Sequence, residues 1–171
     1  EEAKQMNYVD TVCDTHYFIS KENSERGEII AINKEESVVL EASEHVLDSA
    51  FFLGDTLYAI TMFNASHKLL RIENNTYTEV KMPADICTIG VLGKDKDHIL
   101  LTFESFNDAF TVLAFDGTNM KQIYSATTIT CKDMVVEQRW AKSKEDKENI
   151  PYFIVYKEGT KLDGNNPVLV Y

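Results

Sequence analysis

The chain has 171 residues, of which 44% are hydrophobic and 26% charged, and its formal net charge is −11. That balance is globular rather than disordered, and no apolar run approaches the roughly 18 residues of a membrane helix. A surface this acidic, with no basic stripe, repels phosphate backbones and anionic membranes, so neither nucleic acid nor a membrane is expected as a partner.

The three cysteines, Cys13, Cys87 and Cys131, are odd in number, widely spaced and without a CxxC pair. They form neither a disulfide framework nor a zinc site. Buried free thiols in a reducing, cytoplasmic compartment are the expectation. It outweighs two glycosylation patterns, Asn64-Ala-Ser66 and Asn74-Asn-Thr76, of a kind that arises by chance in a chain rich in Asn, Ser and Thr.

The chain opens on "EEAKQMNYVD", a polar start with no initiating Met and no signal-peptide pattern. It reads as an internal boundary of a longer protein. From His16, "HYFISKENSERGEIIAINKEE" gives an apolar strand, a polar loop, a second apolar strand and a turn. "SVVLEAS" at Ser37 follows as a third strand. "HVLDSAFFLGDT" is a strand ending at Gly54-Asp55, and from Leu57 "LYAITMFNASHKLLRIENN" repeats the strand–loop–strand–turn pattern. "TYTEVKM" from Thr76, then "DICTIGVLGKDKD", "HILLTFESFNDAFTVLAFDGTN" from His98 and "MKQIYSA" from Met120 repeat it again. The starts at His16, Leu57 and His98 are 41 residues apart both times.

Each unit thus holds four short strands linked by polar or Gly-containing turns, and hardly any stretch shows a 3.6-residue apolar period. Four strands per unit of about 40–50 residues is the signature of a β-propeller blade. The near-continuous apolar runs Phe51-Phe52-Leu53 and Ile99-Leu100-Leu101 fit strands buried on both faces between blades. A β-sandwich with coincidental spacing is the alternative. The predicted fold class is all-β: a partial propeller of about three four-stranded blades over residues 1–127. Three blades do not close a ring.

The repeat stops near Ala126. Residues 128–171 have a different composition and read as a hairpin, Met134 to Lys142 and Pro151 to Lys157, around the charged turn Ser143 to Asn149. A Gly- and Asn-containing loop, Glu158 to Asn166, follows. Pro167 then opens a last apolar run, Pro167 to Tyr171, which reads as the first half of a strand continuing in a longer protein.

These residues carry a resemblance. Val136-Glu137-Gln138, Ser143-Lys144, Ile150-Pro151, Phe153-Ile154-Val155, Leu162-Asp163-Gly164, Pro167, Leu169 and Tyr171 resemble the segment by which prolyl oligopeptidase-family serine peptidases pass from their propeller into the α/β-hydrolase domain. The resemblance implies that residues 128–171 are the truncated start of that domain. It departs from the family at Lys144 to Asn149, where the glycine of a KDGT turn is missing and the loop is about one residue longer, so a different turn is expected. It implies a parent enzyme that hydrolyses short peptides, after proline, by acyl transfer through a Ser-Asp-His triad and an oxyanion hole. The propeller would gate access. Whether the parent prefers proline or basic residues stays open.

The family's triad would lie downstream of Tyr171, so no catalytic residue, cofactor or metal is expected within the chain, and the chain alone is expected to be inactive. No GxSxG occurs. His16 and His98 hold equivalent repeat positions, which reads as structural, and neither they nor His45 and His67 have H-x-H or HExxH spacing. Asp95 and Asp97 read as a solvated hairpin turn without the pattern of a calcium loop. Trp140 reads as an anchor for the hairpin. The alternative function is a non-catalytic propeller module that binds a protein or peptide. With a blade flank and the last strand unpaired, self-association through exposed strand edges is expected.

Overall fold

The structure, a computed structural model, describes residues 5–95, 97–126, 131, 133–145 and 147–170. The chain divides into two compact units, Glu1–Thr128 and Ile129–Tyr171. The sequence boundary near residue 128 falls among residues 127–130, outside the described residues.

The first unit is three antiparallel four-stranded sheets, each formed by strands consecutive in sequence. The first blade holds β1 (Met6–Val12), β2 (Thr15–Ser20), β3 (Glu28–Ile32) and β4 (Glu36–Leu40). The second holds β5 (Val46–Leu53), β6 (Thr56–Phe63), β7 (Ser66–Glu73) and β8 (Thr76–Val80). The third holds β9 (Cys87–Lys94), β10 (Ile99–Ser105), β11 (Thr111–Phe115) and β12 (Met120–Ser125). Among the described residues no helix is long and apolar enough to cross a membrane.

Local chemistry explains the hairpins. Asn64-Ala65 and Asn74-Asn75 take positive φ at both turn positions (48° and 60°, 50° and 61°). This primed geometry matches the twist of the flanking strands, and Asn adopts it at low cost. Each blade also carries one extra residue in its first strand. The register of β1 on β2 shifts between Tyr8 and Asp10, that of β5 on β6 between Leu47 and Ser49, and that of β9 on β10 at Leu100/Leu101. Such bulges increase strand twist. In β5 the bulge keeps Leu47, opposite Thr61, on the same side of the sheet as Phe52, opposite Leu57.

The apolar runs are continuous because the middle blade is sandwiched. Along β6, Leu57 and Ala59 pack toward the first blade with Ile19, Ile29, Leu47, Phe52 and Ile72. Tyr58 and Ile60, on the opposite face, pack toward the third blade with Leu69, Ile89, Leu101, Phe103 and Phe115. Period-2 geometry sends alternate residues to opposite seams, so both parities must be apolar. Polar stitches cross the same seams. Asn75 Nδ2 donates to Val38 O at 3.1 Å, Lys94 Nζ to Phe52 O at 3.0 Å, and the Tyr58 hydroxyl to Gly117 O at 3.2 Å.

The second unit is a two-stranded ribbon, β13 (Met134–Lys142) on β14 (Asn149–Lys157), in unbroken register from Met134↔Lys157 to Lys142↔Asn149. The unusual turn is closed by Ser143 N donating to Glu148 O (2.9 Å) and Glu148 N to Ser143 Oγ (3.1 Å), while Asp146 lies outside the described residues. The last strand of the sequence reading is not formed. Residues 167–170 belong to no strand, and Val168, Leu169 and Val170 are 81%, 92% and 89% exposed. Apolar, β-branched content favours a strand only where another strand supplies its hydrogen bonds, and nothing pairs with this run among the described residues. Tyr171 is outside them.

Candidate functional site

The histidines occupy four distinct environments. His16, second in β2, places Nδ1 2.7 Å from Thr11 Oγ1. His98 precedes β10 and sits 3.2 Å from Asp95. The two are therefore not equivalent, because the β9–β10 connection is longer than the two-residue turn at Cys13-Asp14. His45 stacks on Phe63 (4.6 Å between centroids, 14° between planes) with Nδ1 3.1 Å from Thr61 Oγ1. His67 is the second residue of β7. Among the described residues no histidine ring bonds a serine or cysteine side chain, and no group of three or more His, Cys, Asp or Glu is placed to hold a metal ion.

Asp95 is a turn cap. Its Oδ1 accepts from Asp97 N at 2.9 Å and His98 N at 2.8 Å, and these main-chain bonds hold the carboxyl below its usual range. Of the three thiols expected to be buried only Cys87 is, while Cys13, in the β1–β2 turn, and Cys131 are exposed; desolvation first pushes the Cys87 thiol up to about 11. It stays protonated at neutral pH and is a poor nucleophile.

Polar side chains of the second blade build the seam between β7 and β9. Ser66, 5% exposed, accepts from Cys87 N at 3.1 Å through Oγ, which also lies 3.1 Å from Asp85 O and 3.4 Å from Cys87 O. One residue on, His67 Nδ1 accepts from Ile89 N at 3.0 Å and lies 2.9 Å from Ile89 O. Two side chains of the second blade thus do for β9 what a neighbouring strand would do: they satisfy main-chain groups at a buried edge. His67, Lys68, Glu79, Lys81, Met82, Ala84 and Asp85 line a cavity of about 230 Å³ beside this seam. Lys68 is paired with Glu79 at 2.9 Å. Sequence reading missed this clamp because Ser-His at a strand start matches no motif, and its partners lie about twenty residues away.

In the second unit, Glu137 and Arg139 share one face of β13. Arg139 donates to Glu137 Oε2 through Nε (3.0 Å) and Nη2 (2.6 Å), and the Tyr156 hydroxyl donates to Glu137 Oε1. The Tyr156 bond first, then Arg139, holds the Glu137 carboxyl below its ordinary value. A depressed carboxyl pKa contributes stability that is present above the unfolded value and lost as pH falls through the folded one. The expected result is an NMR titration midpoint for Glu137 below 4.5 that returns toward 4.5 in Tyr156→Phe. An unchanged midpoint in that variant would show that the hydroxyl does not govern the carboxylate. Trp140, opposite Pro151, is 49% exposed.

No family model matches the chain. It is 27% identical over 183 residues, 95% of its length, to an uncharacterized peptidase of Rickettsia prowazekii. Its structure superposes on a prolyl endopeptidase with a TM-score of 0.79 and 26% identity, over 94% of this chain and 25% of that one. The chain's homologues and structural neighbours are prolyl oligopeptidase-family peptidases. A post-proline cleaving enzyme from Rickettsia typhi shares the fold over 98% of the chain (TM-score 0.69, 20% identity). The three sheets match the propeller region of prolyl oligopeptidases. The chain spans about a quarter of the length of these relatives: 25% of the R. prowazekii peptidase and 28% of the R. typhi enzyme.

Proposed function

We propose that the chain is a propeller segment, with the lead into the catalytic domain, of a prolyl oligopeptidase-type serine peptidase that hydrolyses short peptides after proline. The observation that carries this reading is the match of three consecutive four-stranded blades and the following ribbon to a quarter of a prolyl endopeptidase, at 26% identity. In this reading the blades limit access to the active site, and the Ser, Asp and His that perform acyl transfer come from outside these 171 residues. A protonated Cys87 and four histidines engaged with threonine hydroxyls, Asp95 and main-chain groups fit a supporting rather than a catalytic role. Three free cysteines fit a reducing, cytoplasmic setting.

The test uses a fluorogenic peptide with proline before the scissile bond. The 171-residue chain is expected to show no turnover, and the protein encoded by the complete gene is expected to cleave after proline and to be blocked by a serine-directed inhibitor. Inhibitor-sensitive cleavage by the 171 residues, or a complete protein that cleaves only after basic residues, would overturn the corresponding part of the reading.

A further inference from the structure

The His67 imidazole is placed to hold Ile89 in either of two ways. Its Nδ1 is 3.0 Å from Ile89 N and 2.9 Å from Ile89 O, so both main-chain groups of one β9 residue face one ring nitrogen. A bare Nδ1 accepts from the N–H and a protonated Nδ1 donates to the C=O, but one nitrogen cannot do both. Nε2 is buried and has no hydrogen-bond partner. We propose that His67 is a proton-sensitive latch between the second and third blades, whose neutral form ties β9 to β7 and whose protonated form releases the Ile89 amide.

In the neutral latch the ring proton resides on Nε2 and Nδ1 takes the Ile89 N–H. Proton uptake from solvent, through the cavity that His67 lines, puts N–H on both nitrogens. Nδ1 then turns to Ile89 O, the Ile89 N–H loses its acceptor, and no other bond is made or broken. The charged and titratable groups around the ring come from every element packed on it. Lys68 of β7 and Glu79 of β8 pair with each other, and Lys81 and Asp85 flank the cavity from the β8–β9 connection. The Cys87 thiol of β9 bonds the main-chain oxygen of His67 itself at 3.8 Å. The adjacent Ser66–Cys87 clamp does not titrate in this range, so β9 stays tethered there and the release is confined to the strand beyond it. This latch goes beyond the peptidase reading and does not depend on it.

The full 171-residue chain supplies the test. Nitrogen NMR of the neutral His67 ring should find the proton on Nε2. Amide exchange of Ile89, corrected for the intrinsic rate, should rise about tenfold on passing from pH 8 to 5, the worth of one buried hydrogen bond. Ile29, at the other seam, should not follow. In His67→Asn the side-chain amide can accept and donate without titrating, and the step should vanish. A neutral ring protonated on Nδ1, a flat Ile89 profile, or a step that persists in His67→Asn would each overturn the latch; the first two are read on the unmodified chain.

Discussion

Replacing Phe115 by alanine is expected to destabilise the three-blade unit by about 3–5 kcal/mol, the range for deleting a fully buried aromatic ring. Phe115 is 0% exposed at the end of β11. Its ring meets Tyr58 of the second blade edge-on, 5.2 Å between centroids at 87°. The strands around it are pinned by pairing with Ile99 and Met120, so the backbone cannot collapse into the space that alanine leaves. The cavity would open at the seam itself. The measurement is the urea midpoint of the 171-residue chain, with Leu92→Ala as a control: Leu92 is 55% exposed, and its loss should change stability by about 0.5 kcal/mol or less. A lower m-value in Phe115→Ala would show in addition that the third blade unfolds apart from the other two, as nearest-neighbour coupling between repeats allows. A Phe115→Ala midpoint matching that of Leu92→Ala would refute the packing argument.

Ser66→Ala comes next, at about 1–3 kcal/mol. The substitution creates almost no cavity. It leaves Cys87 N and Asp85 O at a buried seam without the hydroxyl that serves them. An orphaned buried amide costs the desolvation of that group, which exceeds the net worth of an ordinary hydrogen bond. Ser37 is the internal comparison. Its hydroxyl donates to Ala31 O at 3.4 Å from an exposed position, where water can replace it. Ser37→Ala should therefore change stability by about 0.5 kcal/mol or less. Equal costs for the two serines would mean that the β7–β9 clamp adds nothing beyond apolar packing. Amide exchange at Cys87 provides a local readout, since it should quicken in Ser66→Ala and not in Ser37→Ala.

Much of the architecture was legible in the sequence because its causes are local. The 41-residue spacing, the Asn-Ala and Asn-Asn turns and the unbroken apolar runs specify four short strands per unit and strands buried on both faces. β13 and β14 could be placed from Met134 to Lys157 for the same reason: alternating apolar residues flank one charged turn. β1 was missed. Met6–Val12 interrupts its apolar residues with Asn7, Asp10 and Thr11 and buries none of them fully, so it carries almost no hydrophobic period. It is a strand because β2 pairs with it along its length.

The sequence by itself determined the repeat, the four-stranded blades, the change of character after Ala126 and the resemblance to the prolyl oligopeptidase family, all encoded in residues near one another in the chain. Only the tertiary structure decided which parity of β6 faces which blade, that Ser66 and His67 clamp a strand some twenty residues away, and that residues 167–170 form no strand. Each of these depends on what lies across a seam or beside a strand edge. Hydrogen bonds at a sheet edge are satisfied by whichever group the fold brings there, and neither composition nor period specifies that group in advance.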